Sequence, residues 1–159
     1  MSNEEIYDND VDMEVGDEEG ASAGFLDNDF EVELKRRAPK GDVFFQIYPR
    51  TRHWIHLGVR PERILREDKT DNIFSFEKTM KDSSYPAEEG KRYVSFTCNI
   101  ILTELELRMS FSRIKIRYSD LEGVEGQEFA LANDGEECAD VTKLCESVID
   151  NLATYLSKS

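Results

Sequence analysis

From Lys91 to Tyr118 the chain reads KRYVSFTCNIILTELELRMSFSRIKIRY, and no other stretch narrows the choice of fold so far. Val94, Phe96, Cys98, Ile100 and Leu102 fall on even positions, and a period of two marks a strand with one buried face. The phase then flips twice. Leu105, Leu107, Met109 and Phe111 are odd; Ile114, Ile116 and Tyr118 are even again, which turns Arg113, Lys115 and Arg117 outward. One reading is a three-stranded meander with two-residue loops at Thr103-Glu104 and Ser112-Arg113, pairing Leu102 with Leu105 and Ile100 with Leu107. The other is bulges in longer, curved strands, since neither loop carries the Asn-Gly or Asp-Gly that tight turns prefer. A helix is the third, because Cys98, Leu102, Leu105 and Met109 also sit at helical spacing. The β-branched and aromatic flanks favour strands over it.

A chain of 159 residues implies one domain with a core large enough to stand without disulfides or metal. The net charge of −14 is unevenly spread. Residues 1–31 hold twelve acids and no Lys or Arg; residues 32–118 hold eighteen bases against twelve acids; residues 119–159 hold two bases against ten acids. The first part has too few apolar residues to build a core, so residues 1–29 are expected to be a disordered acidic tail and 30–159 a single domain. Asp8, Asp10, Asp12, Val15 and Glu19 partly match a calcium-binding EF-hand loop, but Met13 stands where the turn needs glycine. A solvated tail is the better account, with Phe25, Leu26 and Phe30 as anchors onto the body or a short partner motif. No run of eighteen apolar residues and no leader-like start occur, so no membrane span is expected and the cytoplasm or nucleus is the expected compartment. Cys98, Cys138 and Cys145 then read as free thiols.

Along the body, Phe30, Val32 and Leu34 alternate as a first strand. Val43 to Tyr48 and His53 to Val59 read as a second and third, with Pro49 to Arg52 as the turn between them. Ile64-Leu65 and Ile73 to Phe76 follow as strands, then a loop from Lys81 to Gly90, and later Phe129 to Leu131 as an edge strand. Val141, Leu144, Cys145, Val148, Ile149, Leu152, Tyr155 and Leu156 recur at three- and four-residue intervals. They predict a helix over 136–156, with Asp134 and Glu137 in the form of a capping box. The expected fold is α+β: a mostly antiparallel sheet or partly open barrel of six to eight strands, with one C-terminal amphipathic helix packed on it. A homodimer through that helix is the alternative use of its stripe.

Chemistry is sparse. On a strand, His53 and His56 would point to opposite faces and share neither metal nor substrate. Gly123 and Gly126 lack the lysine of a phosphate loop. Neither enzyme activity nor cofactor nor metal is expected. The most specific feature is the cationic row Arg113, Lys115 and Arg117, whose Cα atoms on one strand face lie ~7 Å apart. Lys35, Arg36, Arg37, Lys40, Arg50 and Arg52 extend it, with Trp54, Tyr48 and Tyr93 as stacking platforms. Two functions follow: a non-enzymatic regulatory protein whose acidic tail binds or masks the basic surface of a protein partner, or a single-stranded DNA or RNA binder in which the tail competes for the cationic face.

Overall fold

The computed structural model describes residues 29–39 and 46–158. The expected acidic tail lies outside them apart from Asp29, which bridges to Ala132. Strands β1 (Val32–Arg37), β2 (Arg63–Asp68), β3 (Ile73–Lys81), β4 (Lys91–Leu102) and β5 (Glu106–Ser119) form an antiparallel sheet in the order β1-β5-β4-β3-β2. The two-residue β6 (Phe129–Ala130) pairs with Ile116 and Lys115 of β5, further along the edge that β1 uses. The sheet is open and six-stranded, of α+β class.

The alternation read in β4 is realised: even positions from Arg92 to Leu102 are buried and odd ones mostly half-exposed. The hairpin after it is shifted by one residue. Leu102 pairs with Leu107 and Ile100 with Met109, so Glu104 and Leu105 form the tip and Leu105 is 83% exposed. Thr103 makes the turn without Asn-Gly: its N–H donates to the Glu106 carbonyl at 3.0 Å, and its Oγ1 accepts the amides of Leu105 at 3.2 Å and Glu106 at 3.0 Å. A hydroxyl that satisfies two turn amides does what an Asx turn does. The second phase flip is a bulge. Ser95 faces Lys115 and Thr97 faces Ser112, so Arg113 and Ile114 together oppose Phe96, and Arg113 takes a φ of 53°. One extra residue restores the burial of Ile114 and Ile116 after Phe111.

The third expected strand, His53 to Val59, is not a strand, and neither is the described end of the second. Residues 40–45 fall outside the described part, and Ile47–His53 is a helix, α1, that continues as a π-helical segment over Trp54–Val59. Ile47, Thr51, Trp54 and Ile55 are its buried residues, at helical and not alternating spacing. Pro49 sits in the first turn, where amides have no intrahelical acceptor and proline costs little. Arg60, with a φ of 55°, ends the segment by donating its N–H to the Ile55 carbonyl, and Pro61 follows.

The C-terminal helix, α2 (Cys138–Ser157), buries Val141, Cys145, Val148, Ile149, Leu152 and Leu156 and packs on β1 and β5. Each such side chain contributes up to about 1.5–3 kcal/mol, so the stripe offered above to a homodimer is used within the domain. The capping box does not form. Glu137 is itself the N-cap residue, makes no cap bond, and accepts the Tyr118 hydroxyl at 2.7 Å instead. Both helices lie on one face of the sheet. Tyr48 stacks on Phe74 with centroids 4.9 Å apart, Trp54 Nε1 donates to Asn151 Oδ1 at 2.8 Å, and Arg50 donates to the last-turn carbonyls of Tyr155 at 2.6 Å and Leu156 at 3.0 Å. Among the described residues no helix covers the other face.

Candidate interaction site

β2 runs alongside β3 only as far as Glu77, the partner of Arg63. Past that point no described strand runs along that edge of β3. Asp82 donates its N–H to the Arg92 carbonyl at 2.8 Å, so by the alternation of an antiparallel ladder Thr79 and Lys81 turn their backbone groups away from β4. Glu62 fills part of the vacancy: its carboxylate accepts the Thr79 N–H at 2.8 Å, where a neighbouring strand would place a carbonyl. Among the described residues the Lys81 N–H on that edge has no backbone partner.

Beside this edge, on the helix-bearing face, opens a groove of about 880 Å³. Phe76, Met80 and Phe96 make its floor, Trp54, Leu57 and Val59 one wall, and Val148, Asn151 and Tyr155 of α2 the other. Leu57 is 59% exposed. His53, Lys78 and Lys81 line it as well, and none of its described lining residues is a carboxylate. On the opposite face a smaller hollow of about 250 Å³ reaches the same edge at Thr79, bordered by Arg113 and Lys115 together with Glu62, Glu77 and Glu128. An apolar trough with a positive rim next to unpaired backbone suits an extended peptide whose side chains alternate in character.

The residues singled out in the sequence do not assemble into one patch. Lys115 and Arg117 are on the open face, as alternation requires. There the Arg117 guanidinium lies 4.4 Å over the Tyr93 ring and 2.8 Å from Glu125, while Lys115 Nζ is 3.9 Å from Glu128. The acidic connection between β5 and β6 thus closes on the cationic row. Arg113 is at the bulge. Lys35 and Arg37 are exposed on β1 opposite Arg108 and Glu106, but Arg36 faces the helices and bonds Asp150 at 2.6 Å. Arg50 and Arg52 belong to α1, where Arg52 pairs with Glu67 at 3.2 Å. Trp54, 5% exposed, is a core residue and no stacking platform. Lys40 lies outside the described residues. The two histidines part company as well, for a different reason than strand geometry: His53 stacks near Tyr155 and His56 bonds Glu67 at 2.6 Å.

One cluster was missed altogether. Arg92 stands in phase with the buried positions of β4, and an arginine there signals an internal ion pair. Its Nε and Nη2 donate to Asp82 Oδ2 at 3.0 and 2.7 Å, and Nη2 also donates to Asp140 of α2 at 2.8 Å. The guanidinium lies 5.1 Å over Tyr85. Burial pushes the Asp82 carboxyl up, but hydrogen bonds from the Ser84 hydroxyl, Arg92 and the Ser84 amide outweigh it and hold the group below its ordinary value. Burial likewise opposes the charge on Arg92, and Asp140, Tyr118 and Asp82 overcome it. Every strong group has a partner, so the cluster locks the 82–90 loop and the start of α2 to the sheet. Burial also pushes the Cys145 thiol up to about 12 and raises Cys98 and Cys138, which disfavours thiolate chemistry. Among the described residues no three His, Cys, Asp or Glu side chains are grouped to hold a metal ion, and no helix is long and apolar enough to cross a membrane.

No protein-family model matches the chain, and neither does any curated protein. Two solved structures do resemble it. A TBP-like protein from Parabacteroides distasonis superposes with a TM-score of 0.65 at 10% identity, over 86% of this chain and 98% of its own. A DUF4468 family protein from Bacteroides ovatus gives 0.55 at 12% identity, over 84% of this chain and 90% of its own. These likenesses show the fold alone. The site must therefore be argued from its own residues.

Proposed function

We propose that this protein is a non-enzymatic interaction module, regulatory in kind, that takes up an extended acidic and apolar peptide as an added strand on β3. The Thr79–Lys81 edge, which has no neighbouring strand among the described residues and lies beside the apolar groove, carries the reading. A strand laid there bonds the backbone of Thr79 and Lys81, sends alternate side chains over Phe76 and Met80, and turns the others toward the open face. Each backbone bond adds about 0.5–1.5 kcal/mol and each buried side chain about 1.5–3. Set against the cost of association, that is a transient interaction. Acidic side chains at the alternate positions meet the exposed Lys81 on the open face, which reverses the expectation from the sequence, where the chain's own acidic tail meets a basic surface on the partner.

The test is a titration of a synthetic peptide of alternating Val and Asp into the isotope-labelled full chain, followed by amide chemical shifts. Shifts at Thr79, Lys81, Leu57 and Val148 are expected, and Lys81→Pro should abolish them. Lys81 contributes no N–H to the β4 ladder, so proline there removes the edge donor without breaking a strand pair. Unchanged shifts, or equal shifts in Lys81→Pro, would refute the reading.

Single-stranded nucleic acid on the open face is the second reading, favoured by the Arg117–Tyr93 stack and by Lys81, which pairs with Tyr93 across the next strand. In it the acidic 120–128 connection is the built-in competitor. Binding of oligothymidine that falls steeply between about 50 and about 200 mM salt would support it.

A further inference from the structure

We infer that two copies of this chain associate through β1, edge to edge and antiparallel, about a twofold axis at Leu34, so that their sheets run on as one. β1 closes one end of the sheet, and no described strand lies on its outer side. Phe30 donates its N–H to the Leu131 carbonyl at 2.8 Å and Ala38 donates to that of Leu105 at 3.1 Å, so even residues direct their backbone groups inward. By alternation the N–H and C=O groups of Glu31, Glu33, Lys35 and Arg37 point outward. The side chains of these four stand on the open face, and all are exposed. A short strand bearing charges is an ordinary guarded edge, but guards in this order do not repel a second copy.

Read antiparallel, the order acid, acid, base, base is its own complement. With Leu34 opposite Leu34 of the second copy, Glu31 meets Arg37 and Glu33 meets Lys35, and each match occurs twice. All the matches fall on outward-pointing residues, which are the ones that exchange backbone hydrogen bonds. Sliding the pairing by two residues sets Glu33 against Glu33 or Lys35 against Lys35, so charge selects one register. Within the chain these charges are poorly answered. Glu33 lies opposite Ser110 and Lys35 opposite the like-charged Arg108, while Arg37 faces Glu106, which Arg108 already bonds. Among the described residues none of the four is in an ion pair. On the helix face the α2 acids beside β1, Asp150 and Glu146, are met by Arg36 of the same chain. There half-buried Leu34 gains its counterpart at the close Cα spacing, about 4.5 Å, of a pair without mutual hydrogen bonds. Arg36 Nη1 donates to the outward Lys35 carbonyl at 2.8 Å and so holds the place of a strand amide, as Glu62 holds that of a carbonyl on the β3 edge. Since β1 and β2 are at opposite ends of the sheet, the pairing stays clear of the β3 edge and its groove in both copies.

Sedimentation equilibrium of the full chain tests this in about 0.15 M salt, where charges on the two copies are screened beyond ~8 Å. Wild type should be half dimeric near about 0.1 mM chain, since backbone bonds and exposed ion pairs exceed the cost of association only modestly. Lys35→Glu sets Glu33 against an acid, and Glu33→Lys sets Lys35 against a base; each should weaken self-association about tenfold or more. Mixed one to one, the two variants oppose unlike charges at every pair again, and a heterodimer of wild-type affinity should form. A second readout needs no variant: the amides of Glu33 and Lys35 should exchange more slowly as wild-type concentration rises. A wild-type chain monomeric to about 1 mM, cooperatively melting variants that dimerise as well as wild type, or a mixture that does not associate would each overturn the pairing. So would concentration-dependent protection at Lys81 in place of Glu33 and Lys35, which would move the interface to the β3 edge.

Discussion

Replacing Arg92 with methionine keeps most of the side-chain length and removes the charge, and the consequence can be worked from the cluster around it. Three charge-assisted hydrogen bonds disappear, two to Asp82 and one to Asp140. Asp140 is 44% exposed and can turn to water, but the Asp82 side chain is 3% exposed and cannot. A buried carboxylate stripped of its cation costs about 3–5 kcal/mol, a large part of a domain's whole stability of about 5–15. By contrast Arg36→Met, which frees a 57% exposed Asp150, should cost at most ~1 kcal/mol. Acidity gives a second signature. In wild type Asp82 is held below its ordinary value, so its contribution is complete above the unfolded-state pKa and is lost as pH falls through the depressed folded one. In Arg92→Met burial has no counterweight from the guanidinium, the Asp82 pKa rises, and acid protonates it and relieves the defect. The gap between the two proteins should be widest at neutral pH and narrow on acidification. Asp82→Asn combined with Arg92→Met should recover most of the loss. Urea unfolding followed by the fluorescence of Trp54, the single tryptophan, measures all of this. A loss below ~1 kcal/mol for Arg92→Met, or a gap independent of pH, would refute the account.

Gly90→Ala should cost about 3 kcal/mol or more in a thermal melt, because Gly90 has a φ of 120° and an added Cβ would lie 2.2 Å from the Ser119 carbonyl oxygen. Ile100→Asp buries a carboxylate at a position with no exposure and should unfold the domain. Asn99→Asp keeps an acceptor for the Ser75 hydroxyl, 2.7 Å away, and should shift the urea midpoint little; equal effects would deny the register. Truncation before Asp134 strips α2 from the sheet and should leave an aggregating product, whereas a cooperatively melting fragment would show that the helix is dispensable.

What could be read in advance was whatever local periodicity encodes. The phase flips of the 91–118 stretch reported both the hairpin and the bulge, and the stripe of α2 predicted a helix within two residues of Cys138–Ser157. The segment from Ile47 to Val59 misled because VFFQIY has strand propensity and Pro49 looks like a breaker, while the helical spacing of Ile47, Thr51, Trp54 and Ile55 was the better guide. The cationic row was correctly turned outward. Its neutralisation by Glu125 and Glu128 depends on where the β5–β6 connection folds, which alternation cannot show. Arg92 was legible: a charged residue in register with Val94 and Phe96 asks for a buried partner.

The candidate edge was not legible, because it arises from where one strand stops beside another. Sheet edges are liabilities that proteins normally guard, and β2 is guarded: it is short, carries Arg63, Arg66, Glu67 and Asp68, and is bulged between Ile64 and Arg66. Four more paired residues, 59–62, would have covered β3 as far as Lys81. They are missing because the π-helical segment ends at Arg60, whose left-handed backbone and the following Pro61 turn the chain, and β2 begins only at Arg63. Lys78 Nζ donates to the Arg60 carbonyl at 3.1 Å and pins that end to β3. The same segment presents Leu57 and Val59 as a wall of the groove. Bare edge and apolar trough thus have one structural cause, and a change that lengthened β2 to protect the edge would draw the wall away from the trough. That coupling, with Lys81 and the Glu62 carboxylate as its guards among the described residues, is what sets this edge apart from the others as a place for a partner strand.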